Sequence, residues 1–267
     1  MGAVGHPDGS GDSMSVKAQS EPRPFPYAWG MCGRFTMTVD DVGAVAEAFG
    51  VESGELPAVQ ARFNIAPTDE HLVVRMRRED RELLPARWGL VKYGSKDRKQ
   101  AARGINARVE GVETRPLYRE ALRKRRCVVP ADGYYEWVGT KENRQPFWFH
   151  RPSGELLAFA GLYEWWRPTP ESWEATFTIL TCPPNELAAR IHDRMPVILP
   201  EDRIDEWIFG GEREPDELKS MLGPAPEDYL VVRPVSQRVN SVRNDGPDLI
   251  EELTSETGEQ LDLFTGA

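Results

Sequence analysis

The distribution of apolar positions along the chain changes at Met31. Upstream, residues 1–30 are rich in Gly, Ser, Pro and Ala and carry no apolar period, so no packed element is expected there. Downstream, "TVDDVGAVAEAFG" sets Val42, Val45, Ala46 and Phe49 on one helical face, with Thr38 as the expected cap and Gly50 as the stop. The middle of the chain turns to short runs of β-branched and aromatic residues between Gly, Pro and charged turns: "HLVVRM", "LLPARWGL", "CVVP", "YYEWV", "LLAFAGLYEWW" and "TFTILTC". These predict strands. Helices are expected over 116–124, 184–191, 201–209 and 215–222. Strands outnumber helices and do not alternate regularly with them. That pattern predicts an α+β fold: one domain over 31–249, with a curved, mainly antiparallel, barrel-like sheet core and flanking short helices. Beyond it the sequence is acidic and sparse, and 250–267 is expected to be a flexible tail.

Composition narrows the class. A chain of 267 residues can bury a full core, and no apolar run approaches the roughly 18 residues of a membrane span. No secretory leader is read at the N-terminus, and a cytoplasmic monomer without a membrane partner is expected. Cys32, Cys127 and Cys182 leave an odd number and form no CxxC, while His6, His71, His150 and His192 show no ligand spacing. No disulfide framework, metal or cofactor is therefore expected. The net charge of −10 argues superficially against nucleic acid, but it is unevenly spread. Arg75 to Arg126 holds 17 Lys and Arg against 7 Asp and Glu, a net of +10 that leaves −20 for the rest. Such a segment is either a phosphate-binding groove or a solvated basic face on an acidic protein.

Four stretches carry residues suited to chemistry. In "YAWGMCGRF", Cys32 follows Met31, so a chain begun at Met31 and trimmed of it would expose an N-terminal cysteine. Such a residue has an amine and a thiol on neighbouring carbons. With an aldehyde, the amine forms an imine and the thiol closes a thiazolidine, which a mid-chain cysteine cannot do. The plainer reading of Cys32 is a buried structural thiol. In "GINARVE", Asn106 and Arg108 alternate onto one face of a short strand. In "CVVPADGYYEWV", Glu136 sits among aromatics, where desolvation would raise its pKa and suit it to proton transfer. In "RIHDRMPVIL", His192 precedes Arg194 by two residues, just past an expected helix end. Singly, these also read as a strand amide, an ion-paired carboxylate and a capping histidine.

Together, and in order, "MCGRF", "FNIAPT", "ARWGL", "INARVE", "RCVVPADGYYEW", "FAGLYEWW", "TILTCPPN", "IHDRMPVIL" and "PVSQRVNSVRNDGPDL" resemble the motifs of the SRAP (SOS response-associated peptidase) family of abasic-site processing proteins. The resemblance runs from Met31 to about Leu249. It implies recognition of abasic sites in single-stranded DNA and a covalent thiazolidine link to the ring-opened aldehyde through Cys32. It further implies that Asn106 holds the opened sugar, that Glu136 works in acid–base steps at the imine, and that His192 opens the deoxyribose and assists reversal. Arg34, Arg108 and Arg194 would contact flanking phosphates. Association with the nucleoid would follow from DNA binding.

Trp88 and Pro67 are further candidates, for base stacking or as a wedge against a duplex, with the core as the other reading of Trp88. Trp137, Trp165, Trp166, Cys127 and Cys182 are assigned to the core. The thirty residues before Met31 depart from the family pattern, because they would acylate the Cys32 amine. They imply an upstream-shifted start, proteolytic exposure of Cys32, or loss of crosslinking. In the tail, Gln260, Leu261, Leu263 and Phe264 of "QLDLF" resemble peptides that dock repair proteins on sliding clamps. The alternatives to a crosslinking protein are an autoproteolytic or thiol peptidase and a non-catalytic DNA-binding adaptor that recruits a clamp.

Overall fold

The computed structural model describes residues 32–52, 58–140, 143–209 and 211–253. The expected N-terminal extension and the QLDLF segment lie outside these residues. In chain order the described strands are β1 (Phe35–Met37), β2 (Arg62–Ile65), β3 (Glu70–Arg77), β4 (Asp80–Trp88), β5 (Asn106–Arg108), β6 (Arg126–Ala131), β7 (Gly133–Gly139), β8 (Arg144–His150), β9 (Leu157–Thr169), β10 (Ser172–Cys182), β11 (Met195–Pro196) and β12 (Val231–Pro234). The short α-helices are α1 (Val42–Ala48), α2 (Arg119–Lys124), α3 (Glu186–Ala189), α4 (Ile204–Ile208) and α5 (Pro215–Lys219). The fold is α+β, as the sequence pattern predicts.

Two sheets share the strands. One runs β12-β8-β7-β1-β2, and the other β11-β10-β4-β3-β6-β9, with β9 also pairing β10 and β5 added on β10. The pairing of β9 with both β6 and β10 closes the second sheet on itself, a barrel-like arrangement in which those edges are used up. Pairing is antiparallel except where β10 lies parallel to β4 and β5.

The apolar runs that follow Arg126 in β6 and precede Glu164 in β9 follow from this position. Both faces are covered, and every residue in these stretches is buried. Phe35, Trp88, Phe159 and Phe177 anchor the core between the sheets, each worth about 1.5–3 kcal/mol of apolar burial. A second cluster, Tyr135, Trp148, Val235, Val239 and Leu249, packs the first sheet against the chain's C-terminal turns.

Several local expectations shift. The first helix is capped by Asp41, whose carboxylate accepts from Gly43 N–H at 2.8 Å, and not by Thr38. The backbone N–H and hydroxyl of Thr38 instead donate to Asp132, each at 2.5 Å, which fastens the end of β1 beside β7. The segment expected at 184–191 is α-helical only over Glu186–Ala189, and the one expected at 201–209 opens with a 3₁₀ turn at Glu201–Arg203 before α4. Trp166 is buried, Trp137 and Trp165 are half-buried against the core, and Cys127 and Cys182 are buried free thiols. No helix among the described residues is long and apolar enough to cross a membrane.

Candidate active site

The register of β1 against β7 brings the first catalytic candidates together. Phe35 lies opposite Tyr134 and Thr36 opposite Gly133, so the chain preceding β1 runs antiparallel alongside the residues that follow Tyr134. Tyr135 N–H donates to Arg34 O at 3.0 Å, continuing that ladder. Gly133 permits the approach: a Cβ there would stand 2.3 Å from Trp148 Nε1, which itself donates to Thr36 Oγ1 at 3.1 Å. The outcome is that Cys32 N–H donates to the Glu136 carboxylate at 2.5 Å across 104 residues of sequence.

Cys32 is 4% exposed and sits at φ +32, a left-handed conformation uncommon for a residue with a Cβ. Burial, followed by the negative charge of Glu136, pushes its thiol well above the ordinary thiol range, with Arg194 opposing last. Burial likewise raises the Glu136 carboxyl. The charge of His192 and hydrogen bonds from Cys32 act the other way. A carboxyl in this state retains a proton at pH values where a solvated one has lost it, which suits an acid–base role.

Asn106 and Arg108 reach the site on β5, which lies parallel on β10 with Asn106 beside Ile179 and Arg108 beside Thr181. Asn106 Nδ2 is 3.4 Å from Cys32 O, and its backbone carbonyl accepts from the Tyr118 hydroxyl at 3.1 Å. Arg108 is exposed. His192 follows α3; its backbone N–H donates to Ala188 O at 2.9 Å, and its ring is near enough to Glu136 to act on that carboxyl.

Arg34 and Arg194, expected at phosphates, are 5% and 7% exposed and held by protein acceptors. Arg34 Nη1 donates to Asn64 Oδ1 and to Val239 O, both at 2.9 Å. Arg194 grips both oxygens of Glu110 at 2.6 and 2.8 Å, and Thr181 O at 2.5 Å. In this conformation both guanidinium groups brace the site from within, and Arg108 is the one of the three arginines on the surface.

Trp88 is wholly buried: its indole N–H donates to Ile105 O at 2.7 Å, and its ring stacks on Phe177 and meets the edge of Phe35. It belongs to the core and offers no face to a base. Pro67 is buried as well. Trp88 lies in the main core, where the apolar gain outweighs any use at the surface.

Sequence reading missed Glu110 and Asn64. Glu110 is the last residue of "INARVE", and Asn64 belongs to "FNIAPT", where its side chain also donates to Ser241 O at 3.0 Å and Asn244 O at 2.8 Å. The motifs marked these positions, but only the tertiary arrangement shows what they hold. Among the described residues no group of His, Cys, Asp and Glu is arranged to hold a metal ion.

Known proteins share this arrangement of chain. A family model described as SOS response associated peptidase (SRAP) matches residues 31–242. The chain is 39% identical over 225 residues to the abasic site processing protein YoqW of Bacillus subtilis (strain 168), covering 83% of this chain and 99% of that one. It is 30% identical over 230 residues to the abasic site processing protein YedK of Escherichia coli (strain K12), covering 84% and 100%. A solved structure from Bacteroides thetaiotaomicron has the same fold, with a TM-score of 0.73 at 21% identity over 84% of this chain and all of that one. A second, from Bordetella bronchiseptica, aligns with a TM-score of 0.64 at 26% identity over 77% of this chain and all of that one. With a family match over most of its length and relatives aligned nearly end to end, the chain belongs to the SRAP family.

Proposed function

We propose that this protein captures abasic sites in single-stranded DNA by forming a thiazolidine between the ring-opened deoxyribose and Cys32, once the amine of Cys32 is freed by loss of Met31. The observation that carries this reading is the 2.5 Å contact between the nitrogen of Cys32 and the Glu136 carboxylate. It puts an acid–base group on the atom that must attack. Relatives named as abasic site processing proteins support the substrate class.

The chemistry balances without an oxidant or reductant. The amine of Cys32 adds to the aldehyde carbon, and Glu136 supplies the proton with which the hydroxyl leaves as water, giving an imine. The thiol then adds across the C=N bond, sulfur to carbon and proton to nitrogen, closing the ring; the net change is loss of one water. The raised thiol pKa keeps Cys32 protonated, which favours the amine as first nucleophile and the thiol as second. His192 would move the proton that opens the sugar, Asn106 would bind the opened sugar, and Arg108 would meet a flanking phosphate. Intact-mass analysis of protein expressed from Met31 with an abasic single-stranded oligonucleotide tests this reading. It predicts one stable adduct, absent in Cys32→Ala; an undiminished adduct in that variant would refute it.

The same contact favours a second activity, hydrolysis of the peptide bond between Met31 and Cys32, in which water adds its hydroxyl to the Met31 carbonyl carbon and a proton goes to the departing Cys32 nitrogen. The nitrogen beside Glu136 is the leaving group of that bond, and the left-handed φ of Cys32 is a constraint that exists only while Met31 is attached. Full-length protein that loses residues 1–31, but not when Glu136 is alanine, would establish self-processing. Retention of the intact chain in both would exclude it.

A further inference from the structure

The ion pair between Glu110 and Arg194 joins the two arms of the site. Glu110 lies two residues beyond Arg108 and β5, and Arg194 two residues beyond His192, 84 residues away in sequence. The pairing is bidentate, at 2.6 and 2.8 Å, and the same guanidinium donates to Thr181 O at 2.5 Å. Thr181 O also accepts from Val109 N–H at 3.0 Å, so one carbonyl of β10 ties both arms. A planar guanidinium held by a carboxylate fork and a carbonyl has little freedom to turn. The pair also acts on Glu110 itself: the hydrogen bond from Arg194 holds its carboxyl below the usual range.

The backbone of Arg194 meets the imidazole. Arg194 N–H points at His192 Nδ1 at 3.1 Å, and the Asp193 carboxylate lies 3.2 Å from the same atom. These two partners make opposite demands. A backbone N–H can only donate, so with Arg194 in place Nδ1 is the acceptor and the ring proton resides on Nε2. Asp193 would hold Nδ1 only when that atom carries a proton, and its side chain is 82% exposed. The backbone N–H is the better-placed partner.

We propose that Glu110 is a positioning residue: by clamping Arg194 it directs the Arg194 N–H onto His192 Nδ1 and keeps the imidazole in its Nε2-protonated tautomer. The work assigned to that imidazole rests on the function proposed above, whereas the link from Glu110 to the tautomer does not. Without the clamp, the turn at Asp193 is released, Nδ1 passes to the Asp193 carboxylate, and the proton changes nitrogen. A histidine in the wrong tautomer presents a lone pair where a proton is needed.

The test is ring ¹⁵N NMR of the full chain at a pH where His192 is neutral. There are four histidines to resolve, and His192 is assigned by its absence in His192→Ala. The native protein is expected to show His192 with Nδ1 unprotonated and Nε2 protonated, and Glu110→Ala to lose that pattern in favour of the other tautomer. His71 and His150 serve as folding controls. If Glu110→Ala disturbs them, Glu110→Gln, which keeps one acceptor, must still show a smaller change of the same sign. A native ring protonated at Nδ1, or an unchanged tautomer in the variant that retains the control signals, would overturn the proposal. A chain with the expected tautomers that formed no crosslink would sink the function proposed above and leave the Glu110 link standing.

Discussion

At Glu136, burial and chemistry pull in opposite directions. Burial raises the carboxyl in the folded state. Between the ordinary value and the raised one, the folded protein therefore holds a proton that the unfolded chain has released. Stability then falls as pH rises through that window, and at neutral pH the ionised carboxylate is a net cost. Glu136→Gln keeps an acceptor for Cys32 N–H while removing the charge. Thermal unfolding of this variant should give a Tm a few degrees above native at pH 7, with the difference vanishing below about pH 4. Crosslinking should fall by roughly 100-fold or more, the usual size of a lost acid–base group. A Tm equal to native at every pH would show that the carboxylate is solvated when folded. The sequence made Glu136 visible because an acid among aromatics is conspicuous. Glu110 was not, since an acid near many arginines predicts no particular partner.

At the scale of elements, β3, β6 and β9 were legible from their apolar runs, whereas β8 was missed although its four central residues are buried. The short strands β1, β2 and β11 were not legible, because two to four residues carry no period and their pairing is decided by partners far along the chain. β1 is the piece that aims Cys32, so the part of the fold that builds the site was the part least visible locally. Strand packing also accounts for His71. This residue of β3 bonds through Nε2 to Pro130 O of β6 at 2.8 Å and meets the edge of Phe35. Burial lowers its pKa to about 4 from 6.5. A histidine depressed in this way is neutral when folded and protonated when unfolded, so its contribution is complete above about pH 6.5 and is lost as pH falls toward 4. Denaturant unfolding across that range should lose up to about 3 kcal/mol, and His71→Gln should flatten the slope. An unchanged slope would place the titration elsewhere.

At the scale of the whole molecule, the basic stretch from Arg75 to Arg126 is answered in part by acids from other parts of the chain. Arg81 pairs with Asp205, Arg87 and Arg98 with Glu174, Arg123 with Glu212 and Arg125 with Glu164, while Arg126 is spent on backbone carbonyls, Trp207 O among them. A charge count along the sequence therefore overstates the field that DNA would meet. Arg108 is the exposed cation that reaches the site on β5, and Arg108→Ala should weaken single-strand binding and reduce the salt slope by about 0.7, the share of one phosphate. Trp88→Phe, by contrast, should cost about 2–4 kcal/mol of stability, because it empties core volume and removes the indole hydrogen bond to Ile105 O, leaving that carbonyl only the Ile179 N–H, and leave the affinity of the folded protein unchanged. A Trp88→Phe protein of native stability with lost affinity would return Trp88 to the DNA surface.

The proposed crosslinking requires the free amine of Cys32, and intact mass tests that requirement. Full-length protein, verified by intact mass to retain the bond between Met31 and Cys32, is compared with protein begun at Met31 and trimmed to Cys32, each mixed with the same abasic oligonucleotide. The trimmed protein should gain the mass of the oligonucleotide less one water, and the uncleaved protein should gain nothing. Equal adducts from both would show that the free amine is not needed.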